Sequence, residues 1–206
     1  MTVTPLVIAC GALASELRVV LKAQGLADTV EVTYLPANLH NRPERIVPVL
    51  EPLLEEAAAQ HRNVFVAYAD CGTGGALDAL LERSTGVTRL PGSHCYEFFS
   101  GAEQFRAIHD EELGTLFLTD FLAKHFEPLL WQGLGLDRHP ELRDMYFGNY
   151  RRVVLISQST DPEIIVLAQA AAARLGLEFE HRHVGLEPFA AVVTEGVAVS
   201  LRRRVA

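Results

Sequence analysis

"NVFVAYADCGTGGALDALLERS", Asn63 to Ser84, holds a buried strand, a glycine-rich turn and a helix in one stretch. A strand that hands over directly to a helix is half of a strand–helix–strand unit, and such units build parallel sheets. The same order recurs on either side. "PLVIAC" (5–10) is a short apolar run, and "GALASELRVVLKAQG" follows it with Leu13, Leu17, Val20 and Leu21 at helical spacing and Gly25 as a stop. "VEVTYLP" (30–36) alternates as a strand does, and "ERIVPVLEPLLEEAAAQH" reads as a helix whose first turns Pro48 and Pro52 should bend or interrupt. Downstream, "RRVVLISQ" predicts a strand. "STDPEIIVLAQAAAARLGL" predicts a helix with Asp161 as its N-cap and Pro162 at its first position.

"LEFEHRHVG" and "FAAVVTEG" are expected to close the chain as strands, with His181 and His183 solvated among charged neighbours. Leu113 to Leu134 is expected to form one long helix. The fold class is therefore α/β: a mainly parallel sheet with helices on both faces, in one domain over residues 1–206. A helical insertion at about 94–150 would lie beside the site.

The composition narrows the function. A formal net charge of −8 gives no support to nucleic-acid binding, and the short basic "LRRRVA" reads as a solvated tail. The start of the chain lacks the basic region of a signal peptide, and no run of ~18 apolar residues suggests a membrane span. A cytoplasmic location is the expectation. Three cysteines without disulfide spacing fit thiols or ligands.

Their positions matter more than their number. Cys10 ends the first strand and precedes Gly11. Cys71 ends the third and precedes Gly72, Thr73 and Gly74. Cys95 stands where a helix begins after "VTRLPGSH". Ligands of an open parallel sheet bind beyond the carboxyl ends of its strands, so all three thiols are placed to reach one edge. Nearby helix N-termini are expected to favour thiolates.

Three thiolates would leave one coordination position open on zinc, the favoured metal, and would suit a soft guest such as a thiol. A four-iron four-sulfur cluster would leave one iron free in the same way. Buried apolar packing and a metal-free catalytic thiol are the other readings of the cysteines. His40, in the polar loop after the second strand, His94 and Asp120 are candidates for a fourth ligand or for hydrogen bonds to the ligands. Asp120 and Thr119 sit in a strongly apolar stretch. Tyr68, Tyr96 and Glu97 could line the pocket with Gly11, Gly72, Thr73 and Gly74.

The segments "ACGALASE", "YLPANLHNRPE", "AYADCGTGG", "GSHCYEFFSG", "GTLFLTDFLAKHF" and "GLGLDRHPEL" together resemble the prokaryotic family known as domain of unknown function 1638. The resemblance covers about Ala9 to Gly176, and its three cysteine segments fall on Cys10, Cys71 and Cys95. It implies an association with corrinoid proteins and corrinoid-dependent methyltransferases. The expected function is thus a metalloprotein acting on a small-molecule substrate, as enzyme or accessory in one-carbon (methyl transfer) metabolism. A non-catalytic metal chaperone or assembly factor is one alternative. A phosphate- or nucleotide-binding enzyme using the "CGTGG" turn is another, although that turn lacks the Lys and Ser/Thr of a phosphate loop.

Overall fold

The computed structural model describes residues 4–202. In chain order its elements are β1 (Leu6–Cys10), α1 (Ala14–Ala23), β2 (Glu31–Leu35), α2 (Ile46–Ala59), β3 (Val64–Ala67), α3 (Ala76–Glu82) and β4 (Val87–Arg89). There follow α4 (Cys95–Ser100), α5 (Ala102–Glu111), β5 (Thr115–Leu118), α6 (Asp120–Lys124), α7 (Leu142–Phe147), β6 (Arg152–Ser157), α8 (Pro162–Leu175), β7 (Glu178–His183) and α9 (Glu187–Arg202). Short 3-10 turns occupy Gly11–Leu13, Ala37–Asn41 and Pro43–Arg45. Among the described residues, no helix is long and apolar enough to cross a membrane.

Among the described residues every strand pairing is parallel, as the strand–helix alternation predicts, but there are two sheets rather than one. The chain divides into two compact units, residues 1–98 with 189–206, and residues 99–188.

The first unit carries a sheet of order β2-β1-β3-β4. Its strand β3 is buried along its whole length, which is why the segment reads as a continuous apolar run. Right-handed crossovers put α1 on one face and α2 and α3 on the other. The connection reverses direction between β1 and β3, and that gap opens a crevice at the carboxyl edge. Leu17, Val20 and Leu21 of α1 and Ile46, Leu50 and Leu54 of α2 are buried. Pro48 lies in the first turn of α2, where its missing N–H has no helical partner to lose. The helix continues through Pro52.

The segment expected as the last strand, "FAAVVTEG", is instead part of α9. Phe189, Val193 and Val197 recur every four residues and are all fully buried. The helix lies directly on β3: a Cβ on Gly196 would stand 2.2 Å from the Phe65 ring, and Asn63 Nδ2 donates to the Ser200 carbonyl at 2.7 Å. Packing of that stripe overrides the β-branched bias of Val192 and Val193. Of the basic tail, Arg203–Ala206 lies outside the described residues.

The second unit has a sheet of order β5-β6-β7. Here the expected long helix over Leu113–Leu134 fails. Thr115–Leu118 is strand β5, and the chain becomes helical only where the Thr119 hydroxyl accepts the Leu122 N–H at 3.3 Å. A π-helical turn at Glu127–Trp131 follows α6. Leu118, Ala123, Phe147, Val153, Leu155, Ile164 and Ala168 form the core on one face. On the other, Phe105 of α5 meets Phe117 of β5 with ring centroids 5.1 Å apart. The N-cap read for α8 is present: Asp161 Oδ1 accepts the Glu163 N–H at 3.0 Å.

Candidate functional site: a thiol cluster at the carboxyl edge of the first sheet

Backbone bonds assemble this edge. The N–H of Asp70 donates to Gly92 O at 3.1 Å, and that of Cys71 to Ser93 O at 2.9 Å. These bonds extend the β3–β4 pairing beyond the strands and bring the loop carrying Cys71 beside the start of α4, where Cys95 lies. Gly92 is favoured there by its left-handed backbone, φ 89°, and the Glu97 carboxylate beside it accepts the Ser93 N–H at 2.7 Å. Gly11 is required behind β1, because its Cβ would meet Leu35 O at 2.8 Å. That close approach of β1 to β2 carries the turn with His40 toward Cys10, and His40 Nδ1 stands 3.5 Å from Cys10 Sγ.

The result is a pocket of about 190 Å³ lined by His40, Pro43, Cys71, Gly72, His94, Cys95 and Tyr96. Cys10 is buried, while Cys71 and Cys95 are partly exposed. Of the candidates read from sequence, Cys10, Cys71, Cys95, His40, His94, Gly72 and Tyr96 thus come together at one edge. Asp120 and Thr119 belong to the second unit. Asp120 Oδ1 accepts the N–H of Gln158 at 3.0 Å and Oδ2 that of Ser159 at 2.9 Å.

The helix-end amides do not win the thiol equilibria. Burial raises the pKa of Cys10, drives that of Cys71 up to about 12, and lifts that of Cys95 well above the ordinary thiol range. Backbone N–H groups reach all three sulfurs and pull the other way, including that of Ala12 on Cys10 Sγ at 3.4 Å, but desolvation is the larger effect. Charge repulsion adds to it: ionised Cys10 raises Cys71, and ionised Cys71 and Cys10 both raise Cys95. At neutral pH the three thiols are therefore protonated. Burial holds the pKa of His40 below the usual imidazole value, so its ring is neutral there.

Two further features belong to this edge. Cys71 has φ 50°, left-handed backbone that a residue with a Cβ rarely adopts. The Tyr68 hydroxyl is fully buried and makes no hydrogen bond of ordinary geometry, although it lies near enough to Cys10 and Cys71 for their ionisation to raise its own pKa. Among the described residues, no group of three or more His, Cys, Asp or Glu side chains is already arranged to hold a metal ion.

The glycine turn is not an open anion cradle. The Asp70 carboxylate fills it, accepting Thr73 Oγ1 at 2.6 Å, Gly75 N at 2.9 Å and Gly74 N at 3.1 Å. These bonds hold the Asp70 carboxyl below the usual range, the Thr73 hydroxyl contributing most. Sequence reading passed over Asp70. Its signal was an Asp three residues before a Thr that opens a helix, a local capping pattern.

No curated protein and no solved structure matches the chain. The family described as "Protein of unknown function (DUF1638)" matches residues 34–193, a span that includes His40, Cys71 and Cys95 and begins after Cys10. With more than three quarters of its length matched, the chain belongs to that family.

Proposed function

We propose that the first unit is a soft-metal site in which Cys10, Cys71 and Cys95 are the ligands, with His40 or an incoming substrate atom in the fourth position. The observation that supports this best is geometric: Cys71, Cys95 and His40 line one small pocket, and Cys10 Sγ stands 3.5 Å from His40 Nδ1. Thiols so placed ionise together only if a cation replaces their protons, and N–H groups already directed at each sulfur would then stabilise the thiolates. The left-handed backbone at Cys71 fits a site held for a ligand rather than for packing. Ligation would require these side chains to move, since no group of three such donors is arranged for a metal among the described residues.

The donor set favours zinc, with a four-iron four-sulfur cluster as the alternative. The reaction class it suits is activation of a bound thiol as a nucleophile, the step that methyl transfer to a thiol needs. Within this reading the residues of the chain hold the ion, keep His40 neutral and limit the guest to a small molecule.

Metal per chain in anaerobically prepared protein tests it. Wild type should take up zinc or iron, and Cys10→Ser, Cys71→Ser and Cys95→Ser should each lose it. Pairing two of these changes should add little, because one loss already breaks the site. The pH dependence has a definite sign. All three thiol pKa values are raised, so binding displaces protons at any pH below them, and affinity rises with pH. The slope of log K should approach about three per pH unit if three thiols ionise on binding. Wild type that binds neither metal after reconstitution, or a slope near zero, rejects the reading. Full metal content in one variant removes that cysteine from the ligand set.

A further inference from the structure

The carboxyl edge of the second sheet holds a different cluster. Ser157 ends β6 and is buried, while His181 and His183 are exposed on β7. His183 is the register partner of Ser157 and His181 that of Leu155. Being two residues apart on a strand, the two rings stand on one face. Ser157 Oγ lies 2.8 Å from His181 Nε2 and 3.2 Å from His183 Nδ1. A hydroxyl has one proton, so it can donate to only one of these nitrogens at a time. Two ring nitrogens thus face one oxygen from the rim of an edge strand.

The loop beside them offers little to an anion. The N–H groups of Gln158 and Ser159 are taken by Asp120, and that of Glu163 by Asp161. What the edge presents instead is two imidazoles and a hydroxyl oxygen. Imidazole lone pairs suit borderline divalent ions such as zinc, nickel, copper and cobalt.

We propose that His181 Nε2 and His183 Nδ1 bind a divalent transition-metal ion, with Ser157 Oγ as the third donor or as the hydrogen-bond partner of a metal-bound water. In the bound form each ring carries its proton on the nitrogen facing away from Ser157. This site is independent of the cysteines, and its donors are nitrogen and oxygen rather than sulfur.

Cobalt(II) alone, titrated into the full chain, tests it, because its spectrum separates the ligand types. Binding here gives a visible ligand-field band without near-ultraviolet sulfur-to-cobalt charge transfer, and paramagnetic loss of the His181 and His183 ring signals. His61, His109, His125 and His139 are exposed histidines and serve as internal controls. His181→Gln and His183→Gln should each weaken this phase on the order of 10- to 100-fold while any sulfur-to-cobalt band is unchanged. Both substitutions are at exposed positions, and far-ultraviolet circular dichroism checks that the fold is kept. Ser157→Ala should weaken binding less than either. The proposal is overturned if cobalt broadens the control histidines as readily as His181 and His183. It is equally overturned if the oxygen/nitrogen-type band is absent, or survives at full affinity in both histidine variants.

Discussion

Asp70 closes the turn after β3 in the first unit, and Asp120 pins the turn after β6 in the second. Each is a carboxylate that accepts backbone N–H groups at the carboxyl edge of a parallel sheet, where an anionic ligand would ordinarily be received. Both edges have their amides filled by the protein itself. The side chains around them differ: three cysteines in the first unit, two histidines and a serine hydroxyl in the second. The units differ in how the carboxylate is held. Asp120 is buried, and one of its donors, Gln158, is buried too. Asp70 is half-buried and its glycine donors are open to solvent. The same contact should therefore matter more in the second unit, since water can replace a lost bond only where it can reach.

Asp120→Ala should have the largest effect on stability. It leaves the Gln158 N–H dry and unpaired, which costs about 2–4 kcal/mol. Denaturant unfolding gives the total, and hydrogen exchange along β6 should show the loss localised there. Asp120→Asn should recover little, because its amide must turn one N–H toward a backbone N–H. A loss below about 0.5 kcal/mol would mean that the bond is not a structural pin.

Asp70→Ala should cost less, about 1–2 kcal/mol, because water can satisfy the Gly74 and Gly75 amides. It should also change the acid limb of unfolding. The Asp70 carboxyl is depressed in the folded state, so its contribution is present above the ordinary carboxylate pKa and is lost as pH falls through the lower folded value. The wild type should therefore lose stability relative to Asp70→Ala only below about pH 4. Equal losses from Asp70→Ala and Asp120→Ala would break the comparison, showing that burial is not what separates the two turns.

The two edges were unequally legible in the sequence. Cys10, Cys71 and Cys95 stand out because each follows a strand-like run and has glycine close by, and this punctuation is local. In the second unit the relevant partners are far apart in the chain. Asp120 shows as a polar residue in an apolar segment, but its partner Gln158 lies 38 residues on. His181 and His183 alternate with charged residues and read as solvated. Only the register of β6 against β7, which no local pattern gives, sets them beside Ser157. Strand β5 was hidden for a related reason. Its four residues run on into a helical segment without glycine or proline, and the break is made by the Thr119 cap. In α9 the burial stripe Phe189–Val193–Val197 was there to be read, but β-branched composition obscured it.

Cys71→Gly should have the smallest effect on stability, and it asks whether the left-handed backbone at that position belongs to packing or to ligand binding. With φ 50°, Cys71 is in a conformation that costs a residue with a Cβ roughly 1 kcal/mol and glycine almost nothing. Removing the side chain also removes the burial of one partly exposed thiol, so the two contributions offset. The metal-free variant should then lie within about 0.5 kcal/mol of wild type in denaturant unfolding. If Cys71 is a ligand, the same variant should lose metal as completely as Cys71→Ser does, giving a near-neutral change in stability beside a complete loss of binding. A destabilisation of about 2 kcal/mol or more in the metal-free protein would instead show that the Cys71 thiol is held by packing, and the strained turn would need no ligand to explain it.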